Sequence, residues 1–310
     1  MMPNLTHQTI SIIIPVYNEE KRIKGLLESI LGQTARALIR EIMVVNDRST
    51  DRTVAVIREL TDRETANSPA GMESGRPKVP IRIIDRPEKT SRARARNVGA
   101  SQATGDWLLF LDADMVLRSD YLERQRELFE RYPDTLAAIG RIVPATLGHS
   151  PYFHYYFHSP DRGTNRYGRR IAVIRFTELL TQNLMMPADI FRSVGGFDET
   201  IHYGEDFVLA WCLQQTCPGR VFRYNPAAVA GDRGFTDMAT GLRKFRHHFK
   251  PNLPMILARY PELSPYFPIA SRSLKPILRL ASIFPVNELF YFSPRLASLL
   301  FKARFLNALM

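Results

Sequence analysis

The sequence predicts an α/β fold built on a mainly parallel central sheet, and three observations predict it. Strand and helix patterns alternate through the first 131 residues, the order expected of parallel strands linked by crossover helices. The first strand segment is a continuous β-branched run, as expected where both faces of a sheet are covered. The chain has 310 residues, of which 45% are hydrophobic and 24% charged, enough to bury a substantial core.

The first strand is read at TISIIIPV, Thr9 to Val16. Asn18 is placed to cap the helix that follows, and Glu19 and Glu20 suit its positive N-terminal end. Ile23, Leu26, Leu27, Ile30 and Leu31 then recur at helical spacing. EIMVV, Glu41 to Val45, predicts a second strand, and Asp51 or Ser49 can cap a helix carrying Val54, Ile57 and Leu60. Residues 63–80 are polar and rich in Pro and Gly, a surface loop. IRII, Ile81 to Ile84, is the third strand, Arg92 to Ala103 a helix, WLLFL, Trp107 to Leu111, the fourth strand, and Ser119 to Arg131 a helix. Residues 150–176 are aromatic and basic without a clear period. From Pro251 onward, prolines 254, 261, 265, 268, 276, 285 and 294 break an apolar, basic tail into short helical pieces.

The formal net charge of +11 suggests an anionic partner without choosing one. No recognised nucleic-acid module is present, so nucleic acid is not expected. Cys212 and Cys217 fit neither a zinc knuckle nor a CxxC redox pair, and reduced cytosolic thiols are the expectation. The apolar run from Ile10 to Val16 has neither the preceding basic segment nor the cleavage site of a secretory leader. No stretch of 18 uncharged apolar residues suggests a spanning helix. The expected location is cytoplasmic, with peripheral contact to the cytoplasmic face of a membrane as the variant.

In an open parallel sheet, ligands bind beyond the carboxyl ends of the strands. Pro15, Val16, Tyr17 and Asn18 follow the first strand, Asn46 and Asp47 the second, and Asp112, Ala113 and Asp114 the fourth. Polar or acidic residues at three strand ends of one edge suggest a site. Two carboxylates one residue apart in LDAD can reach a hard divalent cation, which is commonly held by one or two carboxylates plus substrate phosphates. An isolated DxD is more often a capping turn, and an isolated Glu205–Asp206 pair a solvated helix start.

Together the segments are more specific. SIIIPVYNEE, VVNDRSTDRT, ARARNVGA, LLFLDADMVL, VGGFDE and GEDFVLA occur in this order over roughly residues 9–215. The series resembles that of the family 2 glycosyltransferases, inverting enzymes of the GT-A fold. The resemblance implies a nucleotide-diphosphate sugar donor, UDP-linked among the nucleotides, and Mg²⁺ or Mn²⁺. Pro15, Tyr17 and Glu19 would line the nucleobase and ribose pocket, and Asp47 would hydrogen-bond the base. Many relatives have two acids at that point, where this chain has Asn46 then Asp47. Arg96 and Asn97 would lie near the diphosphate and sugar, Asp112 would touch the ribose or donor sugar, and Asp114 would bind the metal. Asp206 matches the catalytic base, and Gly196, Phe197, Asp198 and Glu205 border the acceptor. Many relatives also carry a His after the last core strand. This chain has AVAGDRGFTD, in which Asp232 is the available oxygen ligand, while His247 and His248 lie downstream.

The chemistry suits those residue types: a base for the acceptor hydroxyl and a cation for the departing diphosphate. Arg92, Arg94 and Arg96 alternate, and on a helix they do not share one face, so at most one or two reach phosphate, Arg96 foremost. The expected domains are 1–250, with a nucleotide-sugar half (1–115) and an acceptor half (116–250), and a 251–310 extension. In that extension Leu296, Leu299, Leu300, Ala303, Leu306 and Met310 share a helical face, with Arg295, Lys302 and Arg304 elsewhere. Residues 295–310 therefore either lie on an anionic membrane surface or pack on the catalytic domain. The acceptor is a saccharide or a lipid carrier. The alternatives are an inactive nucleotide-sugar-binding or membrane-associated scaffold and a related nucleotidyltransferase. PVYNEEKR lacks the glycine-rich, lysine-containing loop that the nucleotidyltransferase needs.

Overall fold

The computed structural model describes residues 8–66, 77–145, 163–234 and 250–266. The chain divides into two compact units. The first comprises 1–145, 169–200 and 205–234, and the second 146–168, 201–204 and 235–310.

The first unit holds a nine-stranded sheet in the order β3-β2-β1-β4-β8-β6-β9-β5, with β7 also paired to β9. Its N-terminal half is parallel, as expected: β1 (Ile10–Val16) lies between β2 (Ile39–Asn46) and β4 (Trp107–Leu111), and β3 (Ile81–Asp85) flanks β2. The strands β1 and β4 are almost wholly buried, which is why their sequences are apolar without alternation. Helix α1 (Ile23–Leu31) buries Ile23, Leu26, Leu27 and Ile30, the stripe that the spacing predicted. Each such side chain contributes about 1.5–3 kcal/mol on burial, so a charge at Leu26 would remove both its own term and its neighbours' packing.

The entry to α1 differs from expectation. The residue before the helix is Arg22, and no side chain caps it. Asn18 instead takes a left-handed backbone conformation, φ 56°, and its amide oxygen accepts from Thr50 N–H at 2.8 Å. The loop after β1 is thereby tied to the loop before α2 (Thr53–Ala66). Asp51 does cap that helix, accepting from Thr53 N–H at 2.9 Å.

Helix α3 (Arg92–Ser101) starts on Ser91, whose hydroxyl oxygen accepts from Arg94 N–H at 3.2 Å. A Cβ at Gly99 would lie 2.6 Å from Ile13 Cγ2, so the glycine lets α3 close on β1 and β2. That approach carries Arg96 to the carboxyl edge of the sheet.

Beyond β4 the sheet becomes mixed. A three-residue strand, β5 (Met115–Leu117), intervenes before α4 (Tyr121–Arg131) and pairs antiparallel with β9 (Val221–Asp232). The strand β6 (Thr135–Pro144) runs parallel to β9, while β8 (Asn183–Pro187) is antiparallel to both β4 and β6. The short β7 (Ala172–Ile174) is antiparallel to β9. Helix α5 (Ala188–Ser193) follows β8, and α6 (Glu205–Thr216) precedes β9.

In the second unit, α7 (Lys250–Arg259) precedes a 3-10 turn, Pro261–Tyr266. Pro254 lies inside α7 one turn from its start, where the missing N–H costs only the bond to residue 250. His247, His248 and the 295–310 face lie outside the described residues. Among the described residues, no helix is long and apolar enough to cross a membrane.

Candidate active site

The three polar or acidic strand ends do share one edge, because β2 and β4 both run parallel to β1. Asp112 donates its N–H to Gln182 O at 3.1 Å and accepts Met115 N–H at 3.1 Å, so DAD is a tight turn from β4 into β5. Arg96 ties this turn to the start of α6. Its guanidinium donates to Asp112 Oδ1 at 2.8 Å and to Glu205 Oε1 at 2.9 Å, and the side chain is 1% exposed. Burial opposes that charge, but Asp112 and Glu205 outweigh it and raise the arginine pKa. Its face lies 5.6 Å from the Phe197 ring centroid. Three segments distant in sequence thus meet on one cation.

Asp206 follows Glu205 in the first turn of α6 and accepts Phe207 N–H at 2.9 Å. Burial and the neighbouring Glu205 carboxylate push its pKa up to about 7, against the pull of Arg96. A carboxylate that titrates near neutrality is matched to taking a proton.

Asp114 sits on the other side of the same turn. Its pKa is also pushed up to about 7, first by burial and then by Asp112, Asp232 and Glu19, with Arg22 opposing. Its Oδ1 is buried without a hydrogen-bond partner. Asp232, at the end of β9, stands opposite Met115 in the β5–β9 pairing. A Cβ on Gly234 would overlap the Asp114 carboxylate, so only glycine leaves that space.

The residues expected on the nucleotide side lie at or just beyond the ends of β1 and β2. Pro15 pairs in register with Val45. Tyr17 is 40% exposed, with Lys89 Nζ 3.5 Å from its ring centroid. Asp47 is buried and accepts from Thr90 N–H at 3.0 Å and from the Thr90 hydroxyl at 3.2 Å. Glu19 donates its N–H to Thr53 Oγ1 at 2.7 Å and accepts from Arg22 Nε at 2.6 Å.

In the segment expected to border an acceptor, Gly195 and Gly196 have φ 79° and 77°. A Cβ at Gly196 would lie 2.7 Å from Asn97 Oδ1. Asn97 clamps this turn, accepting Phe197 N–H at 2.9 Å and donating to Phe197 O at 2.9 Å and to Glu199 Oε1 at 3.0 Å. Phe197 is buried against Phe110 and Phe191, with centroids 5.3 and 5.5 Å away. Asp198 accepts from Thr200 N–H at 3.0 Å.

A family model described as glycosyl transferase family 2 matches residues 11–186, more than half of the chain, including the ends of β1, β2 and β4. The chain belongs to glycosyl transferase family 2. A second model, glycosyl transferase family group 2, matches 107–302. Among curated relatives, the pre-mycofactocin glycosyltransferase of Mycobacterium tuberculosis is 28% identical over 227 residues, covering 72% of this chain and 42% of that protein. A dolichyl N-acetyl-alpha-D-glucosaminyl phosphate 3-beta-D-2,3-diacetamido-2,3-dideoxy-beta-D-glucuronosyltransferase of Methanococcus voltae is 31% identical over 137 residues, covering 43% and 39%. The chain thus spans about two fifths of these relatives' length. The fold matches that of S. aureus TarS 1-349 in complex with UDP-GlcNAc, with a TM-score of 0.57 and 16% identity over 97% of this chain and 82% of that one. GalNAc-T7 with UDP, GalNAc and Mn2+ gives a TM-score of 0.52 and 15% identity over 74% and 44%. The expected α/β sheet of GT-A type is therefore observed.

The residues present fit a divalent cation at Asp114, because an orphaned buried oxygen sits amid surplus negative charge. Among the described residues, no three His, Cys, Asp or Glu side chains are grouped to hold a metal by themselves. The motif reading missed Thr90, Gln182 and Arg233, because none belongs to a patterned segment. For Arg233 a signal existed: it directly follows Asp232, where a histidine was sought.

Proposed function

We propose that this family 2 protein transfers a sugar from a nucleoside-diphosphate donor, UDP-linked, to a saccharide or lipid-linked acceptor, with inversion at the anomeric carbon. The observation that carries the reading is the Arg96 strap. It joins the DAD turn to Glu205, the residue before Asp206, a half-buried carboxylate titrating near 7. In the transfer, the acceptor oxygen bonds to the anomeric carbon as the bond to the diphosphate oxygen breaks. The acceptor proton goes to Asp206, and the bonding electron pair leaves with the nucleoside diphosphate. Pro15, Tyr17, Glu19 and Asp47 form the nucleotide side, Asp112 faces the donor, and Gly196 to Asp198 with Glu205 shape the acceptor side. Arg96 and Asn97 hold these parts in register.

Asp114 would hold Mg²⁺ or Mn²⁺ together with donor phosphates, the usual way such ions are bound. When bound, that ion neutralises charge on the departing diphosphate. UDP-GlcNAc in TarS, and UDP with Mn²⁺ in GalNAc-T7, support the choice of donor and metal. The dolichyl-linked activity in the name of the M. voltae relative supports a lipid carrier. The proposed organisation is a 1–250 transferase domain with a 251–310 extension that lies on an anionic membrane surface. If so, deleting 295–310 abolishes sedimentation with phosphatidylglycerol vesicles and leaves UDP binding intact.

The test is a donor screen. Purified protein is incubated with a panel of nucleotide sugars and Mn²⁺ or Mg²⁺, and nucleotide release and thermal stabilisation are measured. UDP-sugars are expected to stabilise the protein and to release UDP in the presence of acceptor. Stabilisation by GDP-sugars alone would overturn the choice of base, and no response to any donor would overturn the reading.

A further inference from the structure

We propose that Arg233 is a donor-binding residue that grips the diphosphate, and that Gly25 exists to give its guanidinium room. The inference rests on the nucleotide-sugar reading above and adds a residue that none of the family motifs contains.

Arg233 is anchored at the site through its backbone: its N–H donates to Asp114 O at 2.9 Å. It follows Asp232, which stands opposite Met115 at the end of β9. From there the side chain runs to the first turn of α1. A Cβ built on Gly25 would overlap Arg233 Nη1 and lie 3.1 Å from its Cζ. Glycine inside a helix costs about 1 kcal/mol relative to alanine. No left-handed backbone angle at Gly25 requires it, since the positive-φ glycines are elsewhere. Space for the guanidinium is the reason that remains.

Two other cations of the site are committed. Arg22 is bonded to Glu19 at 2.6 Å, and Arg96 to Asp112 and Glu205. Arg233 is exposed and has no side-chain hydrogen bond or ion pair among the described residues. Asp114, to which its backbone is bonded, sits amid the negative charge of Asp112, Asp232 and Glu19, and a donor brings further negative charge there. An unspent guanidinium at that edge supplies what the site lacks. Its planar fork matches two phosphate oxygens, and it never loses its proton at working pH. As the bond to the anomeric carbon breaks, the electron pair moves onto the diphosphate, and a fixed cation there counts most.

The experiment compares UDP and uridine binding by calorimetry, in magnesium buffer, for the full chain and three variants. Arg233→Ala is expected to weaken UDP binding roughly 10- to 100-fold, the range for bonds to charged groups, and to leave uridine binding unchanged. Arg233→Lys should retain part of the affinity. Gly25→Ala should displace the guanidinium and weaken UDP without lowering Tm, because alanine favours the helix. UDP affinity unchanged in both Arg233→Ala and Gly25→Ala overturns the role of Arg233 alone. Equal losses for UDP and uridine do the same, because the defect would then not be at the diphosphate. A wild-type protein that binds neither UDP nor GDP overturns the donor reading together with this one.

Discussion

Replacing Asp206 with asparagine should make the protein more stable and nearly inactive, and the size of the first effect follows from the site. Burial and Glu205 raise this aspartate from 3.8 to about 7. The difference of about 3 pH units is worth about 4 kcal/mol at 1.36 kcal/mol per unit. Because the folded pKa is the higher one, the native state binds the proton more tightly than the unfolded chain does. Wild-type stability therefore falls as pH rises from about 4 to about 7, and is flat beyond. Asparagine does not titrate, and its amide oxygen can still accept the Phe207 N–H. Asp206 is only half-buried, so solvent screens part of the penalty and a gain of about 2 kcal/mol is expected. For a chain of this size that is a Tm increase of about 3 °C at pH 8, shrinking towards zero near pH 4. Turnover should fall roughly 10²–10⁴-fold, with donor affinity unchanged. The wild-type rate should rise with pH to a plateau above about 7. Melting curves at four pH values and a kcat profile make the check. A Tm offset that is the same at pH 5 and pH 8, or near-wild-type turnover at saturating acceptor, would refute the reasoning.

Asp114→Ala should weaken UDP binding in Mn²⁺ buffer and have little effect in chelator, as read by calorimetry. Arg96→Met should cost about 3–5 kcal/mol, because Asp112 and Glu205 lose a buried partner, and denaturant titration would measure it. Gly196→Ala combines φ 77° with a Cβ 2.7 Å from Asn97 Oδ1, and should lower stability by about 1–3 kcal/mol. Glu41 is buried, but bonds from Thr104, Ser11 and Arg82 outweigh that and lower its pKa. Its stabilisation is present above its ordinary value of 4.5 and is lost as pH falls below it. Glu41→Gln should therefore flatten the acid limb of the stability curve measured by thermal melts.

The elements read best from the sequence are those whose burial is local and uniform. Strand β4 spans Trp107–Leu111 as predicted, and β1 differs by one residue, because unbroken apolar runs admit few other structures. The α1 stripe was legible for the same reason: its period of 3.6 is written in Ile23, Leu26, Leu27 and Ile30. The candidate site was legible as an edge, since polar residues at the ends of buried strands have few places to go. The partners of those residues were not. The motif gives Arg96 a diphosphate role, yet the guanidinium is bound to Asp112 and to Glu205, 109 positions away. Asn97 is spent on a turn 100 positions away, and Asp47 on Thr90. Asn18 offered a local helix cap and bonds instead across to Thr50. The β5–β9 pairing, which brings Asp232 and Arg233 to Asp114, joins segments separated by more than a hundred residues. Local pattern records how each segment buries its own apolar face. Which polar group meets which across the sheet edge depends on chain crossings and register, and those are decided only when the strands pack.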